Sequence, residues 1–226
     1  MKDMKNLNYS LRYLLKNRGN SITRLVSLAL GLIVSLLICS YVGLNLSYGR
    51  FFPDRERVYQ LFERTPQFGI SGYMLEPVAP TIKENIPQCE AVTNVYQQYI
   101  NIKVGDSQIS DVRTLAVASD FFDVLDFGVV CGDPKRVLSK EGLANNEMMI
   151  SEHLAEILFG EDDPLGQTIR DTEDKEYIVA GVFRTTPINS PIYAFDAVSY
   201  LDYNPQTANW QGNDSYPTYI KLRKGV

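Results

Sequence analysis

The chain has 226 residues, 45% of them apolar, and a formal net charge of −5, which is enough material for a packed domain of ordinary size. The charge is uneven: residues 1–48 carry six Lys/Arg against one Asp, whereas residues 49–226 carry 16 basic and 26 acidic side chains. An acidic main part argues against nucleic acid as a partner, because that affinity begins with cations on phosphates, while basic residues beside an apolar run point to a lipid bilayer.

Residues 1–24 form a basic leader. Leu7, Leu11, Leu14 and Leu15 recur at helical spacing with Arg12, Lys16 and Arg18 beside them. A short helix with that pattern lies in the membrane plane, apolar face down and cations toward lipid phosphate. The same stripe would also serve a soluble basic helix packed on protein; its place before a spanning segment favours the membrane. Residues 25–46, Leu25 to Leu46, hold no charge. At about 1.5 Å per residue they reach roughly 33 Å, enough to cross the hydrocarbon layer. A cleaved signal peptide would have a shorter apolar region and a small-x-small site, and a lipoprotein reading at Cys39 meets Ile38 where a small residue belongs. The segment is therefore expected to be a retained transmembrane helix. Five Lys/Arg precede it closely and four (Arg50, Arg55, Arg57, Arg64) follow, a balance that leans toward a cytoplasmic N-terminus.

Residues 49–226 read as a mixed α/β domain in two lobes, of fold class α+β once the anchor is counted. Val92, Tyr96, Ile100, Ile102 and Val104 alternate with Thr93, Gln97, Asn101 and Lys103, the period of a half-buried strand, and Thr218, Ile220 and Leu222 alternate with Tyr219, Lys221 and Arg223. The run Tyr177–Phe183 is nearly continuous in apolar residues and suits a central strand covered on both faces. Three short helices are predicted. One has Pro80 in its first turn, Ile82 and Ile86 on one face, and Pro87 as a stop. A second is capped by Ser119, runs through Phe121, Phe122 and Leu125, and ends at Gly128. In the third, Ser151 is the cap, Leu154, Ile157 and Leu158 share a side, and Gly160 closes it.

No residue set for catalysis, cofactor binding or metal ligation emerges. His153 is the only histidine, and on a short helix with an apolar face it reads as a surface residue. No Ser or Cys sits in a nucleophile-elbow pattern. Gly160 to Gly166 has five residues between its glycines and Gln167 where a phosphate-binding loop has Lys, and Glu161, Asp162 and Asp163 would repel phosphate. The clusters Glu161/Asp162/Asp163 and Asp171/Glu173/Asp174/Glu176 lack the spacing of a calcium loop and read as solvated turns. Cys39, Cys89 and Cys131 form no CxxC; outside the cytoplasm Cys89 and Cys131 could pair, although a core of this size needs no staple.

Taken in order, several segments resemble MacB/FtsX-like ABC transporter permeases. The leader and first span (6–32), FFPDRERVY (51–59) and APTIKENIPQCEAV (79–92) follow that family's pattern. DFFDVLDFGVVCGDP (120–134) and MISEHLAEILFGEDDPLGQTI (149–169) are the most specific, followed by residues 178–200. Departures are Gln88 and Cys89 after Pro87, and Pro191 where His is more usual. The resemblance implies a first transmembrane helix followed by a porter-like β-α-β lobe with an inserted smaller lobe, placed outside the cytoplasm at the inner membrane. It implies a non-catalytic domain that couples ATP hydrolysis, by a separate ABC ATPase subunit or a fused cytoplasmic domain, to export or to partner regulation. It also implies a homodimer or paired permease, with a periplasmic adaptor or lipoprotein as a further partner. A family permease would continue through three more spans, so the sequence is expected to be a fragment. From another class, a single-pass sensor or binding module would share the anchor and an uncharacteristic surface; a membrane-anchored hydrolase would have to use His153 or an acid pair.

Overall fold

The computed structural model describes residues 18–47, 49–50, 52–65, 69–104, 107–187, 190, 192, 194–204, 210 and 215–225. The leader stripe of Leu7, Leu11, Leu14 and Leu15, with Arg12 and Lys16, lies outside the described residues, as does Pro191. The chain divides into two compact units, Met1–Tyr48 and Gly49–Val226.

The first unit contains helix α1, Arg18–Leu46. From Ile22 to Leu46 it is long and apolar enough to cross a membrane, and none of that stretch is buried against protein. Two of its polar side chains bond back to the helix: Ser35 Oγ donates to the Gly31 carbonyl and Asn45 Nδ2 to that of Tyr41, both at 2.8 Å. Polar groups satisfied within their own helix are compatible with a hydrocarbon surround.

The second unit is sheet-rich with short helices, the mixed α/β character that the pattern predicts. A 3-10 turn at Arg55–Arg57 leads into β1 (Val58–Gln60), followed by β2 (Glu63–Thr65) and β3 (Gly69–Ser71). Next come α2 (Val78–Asn85), the long strand β4 (Cys89–Val104) and β5 (Ser107–Val117). The middle holds α3 (Phe121–Val124), β6 (Val129–Gly132), α4 (Pro134–Val137), α5 (Lys140–Ala144), β7 (Glu147–Ser151) and α6 (Glu152–Phe159). Strands β8 (Thr168–Asp171), β9 (Glu176–Phe183), β10 (Ala197–Tyr200) and β11 (Thr218–Leu222) complete it.

The main sheet has the order β1-β11-β4-β5-β10-β7-β9-β6, and β8 pairs with both β4 and β9. Strands β4, β5, β10, β7, β9 and β8 therefore close on themselves. One buried cluster draws a side chain from each of them, Ile102, Val112, Ala197, Ile150, Val179 and Ile169, together with Leu154 of α6, so it fills the inside of the ring. The opposite face carries a larger cluster, where Leu115, Met149, Phe183, Val198 and Tyr219 meet Phe121, Val124 and Leu125 around α3 and Val137 of α4. Among the described residues only the hairpin β2–β3 stands outside this sheet.

Two covered faces explain where the simple alternation fails. Thr93 and Tyr219 belong to the polar sets of the sequence patterns, yet both are buried. In the first half of β4, Ala91 and Val95 face the large cluster while Val92 packs on Ala79 and Ile82 of α2. Further along, a register shift between Ile100 and Ile102 is held by Asn101, whose Oδ1 accepts from the Asp111 amide at 2.9 Å. The bulge turns the strand and lets its end meet β8.

The helices follow their local signals in part. Ser151 caps α6, its Oγ accepting from the Leu154 amide at 3.0 Å, and Gly160 ends it at φ 61°, a conformation L side chains rarely adopt. Ile157 is exposed, because the packed face is Leu154, Ala155, Leu158 and Phe159. Pro80 stands in the first turn of α2 as predicted, but Ile86 is its extended C-cap residue and turns outward, away from Ile82. Ser119 does not cap α3. Asp120 holds the N-cap position without capping, because its carboxylate is occupied by Lys83 and Lys135.

Candidate functional site at the first and last strands

The chain enters the domain through Phe52, whose ring is 5% exposed despite lying only a few residues after α1. It meets Phe127 edge-on with centroids 5.2 Å apart. Phe127 in turn stacks on Phe121 at 5.7 Å and meets Phe195 at 5.3 Å, and Phe195 stacks on Phe183 of β9 at 5.2 Å. A continuous run of rings thus links the start of the domain to β9. Such pairs add to the burial of each ring, so the start of the domain is anchored rather than tethered.

Beside Phe52 lies an ionic cluster. Strand β1 is an edge strand that pairs antiparallel only with β11, Val58 opposite Lys221 and Gln60 opposite Tyr219. Arg57 reaches three segments at once: Nη2 to Asp54 at 2.8 Å, Nη1 to Glu90 at 2.6 Å, and Nη1 to the Leu222 carbonyl at 2.8 Å. Lys221 pairs with the same Asp54 carboxylate at 2.6 Å and donates to the Asp123 carbonyl at 3.1 Å. The side chains of Arg57 and Lys221 are only 17% and 13% exposed, so these cations are less screened than ordinary surface charges. Hydrogen bonds from Lys221 and then Arg57 lower the Asp54 carboxyl from 3.8 to about 2. Further on, Asp123 pairs with Lys135, which reaches Asp120 at 3.5 Å, and Asp120 pairs with Lys83 of α2. Toward the start of β11 a recess of about 470 Å³ is lined by Gln60, Tyr73, Gln97, Ser215 and Tyr219, among others.

The residues weighed for chemistry lie apart from this cluster. His153 is exposed in the first turn of α6, where its amide donates to Thr185 Oγ1 at 3.2 Å. Glu161, Asp162 and Asp163 are exposed in the turn after α6, with Asp163 accepting from the Leu165 amide. Asp171 is buried and closes the β8–β9 turn by accepting from the Glu173 and Lys175 amides, both at 2.9 Å. Asp174 pairs with Lys103 and Glu176 with Arg170. Among the described residues no group of three or more His, Cys, Asp or Glu side chains could hold a metal ion. Cys89 packs with Ala79 and Val92, Cys131 packs against the core inside the strand ring, and all three cysteines are free, so the Cys89–Cys131 pair does not form.

The sequence reading did not single out Phe52, Arg57 or Lys221. The Arg57–Leu222 contact joins residues 165 positions apart, and no local pattern announces it. A usable local sign was the Asp54/Arg57 spacing of three directly before a strand.

The sequence profile of the MacB-like periplasmic core domain matches residues 21–226. Among solved structures, a domain of a protein assigned as a permease in Porphyromonas gingivalis is 29% identical, with a TM-score of 0.65 over 77% of this chain and 79% of that one. The periplasmic region of MacB from Actinobacillus actinomycetemcomitans is 16% identical, TM-score 0.54, over 75% and 76%. The extracellular domain of the noncanonic ABC-type transporter YknZ from Gram-positive bacteria is 14% identical, TM-score 0.50, over 74% and 84%. These last two share the fold. Among curated protein sequences none matches this chain.

Proposed function

Because this chain belongs to the MacB-like periplasmic core domain family, we propose that it is the anchored, extracytoplasmic part of an ABC transporter permease and that it transmits motion rather than performing chemistry. In this reading α1 crosses the inner membrane from a cytoplasmic N-terminus, residues 1–24 lie at the cytoplasmic surface, and residues 49–226 are the periplasmic core domain. The partner that supplies energy is an ABC ATPase subunit. The working unit is a homodimer or paired permease, and the outward partner is an adaptor or a lipoprotein.

The observation that carries the reading is the attachment of the domain's start. A passive tether needs only a flexible linker. Here Phe52 buries its ring in the core and Asp54 ion-pairs with the last strand, so a displacement received at the start of the domain would reach β9 and β11. Transmission of this kind is a coupling free energy between two sites and requires two states that both sites bias. The test is co-purification of the full-length protein. The reading expects a nucleotide-binding subunit to be recovered with it and the chain alone to hydrolyse no ATP. Repeated recovery of the intact protein without any ATPase would refute it.

A further inference from the structure

The ion pairs around Asp54 do not stop at the first strand. Along the surface the charges alternate: Glu90, Arg57, Asp54 and Lys221, then across the Asp123 carbonyl to Asp123, Lys135, Asp120 and Lys83. They join the turn before β1, the end of β11, the start of β4, and helices α3, α4 and α2. Two of the links are made to backbone carbonyls, at Leu222 and Asp123, so they fix main chain and not only side chains. Lys221 touches both the approach to β1 and α3, while Arg57 touches that approach, β4 and the end of β11. Removing either cation breaks the chain of contacts at one place.

We propose that Arg57 and Lys221 are positioning residues that clamp the turn at 54–57, the end of β11 and helix α3 into one body, the body on which a displacement arriving from the membrane side acts. The clamp rests on the transmitter reading for its purpose, but its existence is testable without it. The amides of Tyr59 and Leu61 face β11, that of Leu61 donating to the Thr218 carbonyl at 2.9 Å, and those of Asp123, Val124 and Leu125 bond to Asp120 and Phe121 within and around α3, so both groups report opening locally.

Hydrogen exchange on the whole chain in detergent is the test. Lys221→Met should speed exchange about fivefold both at Tyr59 and Leu61 and at 123–125, two segments with no strand pairing between them, while β7 and β9 stay unchanged. Lys221→Arg should restore both. Asp54→Asn, which keeps the side chain's shape, should reproduce the Lys221→Met pattern and guards against a variant that misfolds. A change confined to β11, or a uniform rise across the domain, would overturn the clamp. If the clamp opens as described while nucleotide-driven changes in the full-length transporter persist undiminished, the transmitter reading fails and the clamp stands.

Discussion

Replacing Phe52 by Ala removes the ring that joins the start of the domain to its core, and the cost follows from the packing. Fully burying a Phe ring takes about 150–250 Å² out of water, which at about 25 cal/mol/Å² amounts to roughly 4–6 kcal/mol as an upper bound. Phe52 is 5% exposed, so almost all of that applies, and the edge-on contact with Phe127 adds a smaller aromatic share. Against this, the ring sits where the chain first enters the domain, and a segment at the start of a domain relaxes into a cavity more readily than a central strand does. Measured Phe→Ala losses in cores run at about 3–5 kcal/mol, and the lower end, about 3 kcal/mol, is expected here. Guanidinium unfolding of the chain in detergent, followed by near-ultraviolet circular dichroism of the aromatic core, reads the loss directly. Phe62→Ala is the control: that ring is 62% exposed and its removal should cost no more than about 0.5 kcal/mol. A Phe52→Ala loss below about 1 kcal/mol, or one equal to the control, would refute the anchoring argument.

Three further outcomes follow from the same geometry. Asp54 has a folded pKa below its ordinary value, lowered from 3.8 to about 2, so its stabilising contribution is present above its unfolded pKa and lost as pH falls through the folded one. The stability gap between wild type and Asp54→Asn should therefore be constant at neutral pH and close below pH 4 toward about 2; a gap that persists or widens in acid would contradict the pairing. Gly142→Ala should cost at least about 2 kcal/mol in the same unfolding assay, because a Cβ there would lie 2.1 Å from the Val137 carbonyl oxygen, a backbone atom with little freedom to move. Alkylation in denaturant without reductant should label Cys39, Cys89 and Cys131 alike, and a mass that changes only after reduction would show a disulfide the fold does not contain.

What the sequence made legible was what local chemistry decides. An uncharged run of bilayer length declares α1, and Ser151 with Gly160 declares α6 at both ends, because cap and stop residues act within a few positions of each other. The apolar run of β9 signalled a strand covered on both faces. The same covering hid other features: Thr93 and Tyr219 are the places in the alternating patterns where the polar side is also covered, so a period of two assigned them to solvent. Ser119 looked like a cap because it precedes an apolar turn, whereas Asp120 takes that place and spends its carboxylate on two lysines from other elements. The closure of the ring rests on two residue pairs between β4 and β8, Ile102 with Asp171 and Lys103 with Arg170, which no window of sequence contains. The clamp was invisible for the same reason. Its residues are ordinary charges until the fold brings the two ends of the domain side by side.

The transmitter proposal is tested most directly by hydrogen exchange on the protein assembled in lipid with the ATPase subunit proposed for it, comparing the nucleotide-free and nucleotide-trapped states. It predicts that the trapped state changes exchange at residues 52–60 and 218–222, where the domain receives the motion, with smaller changes inside the strand ring. Exchange across residues 49–226 that is identical in the two states would contradict it.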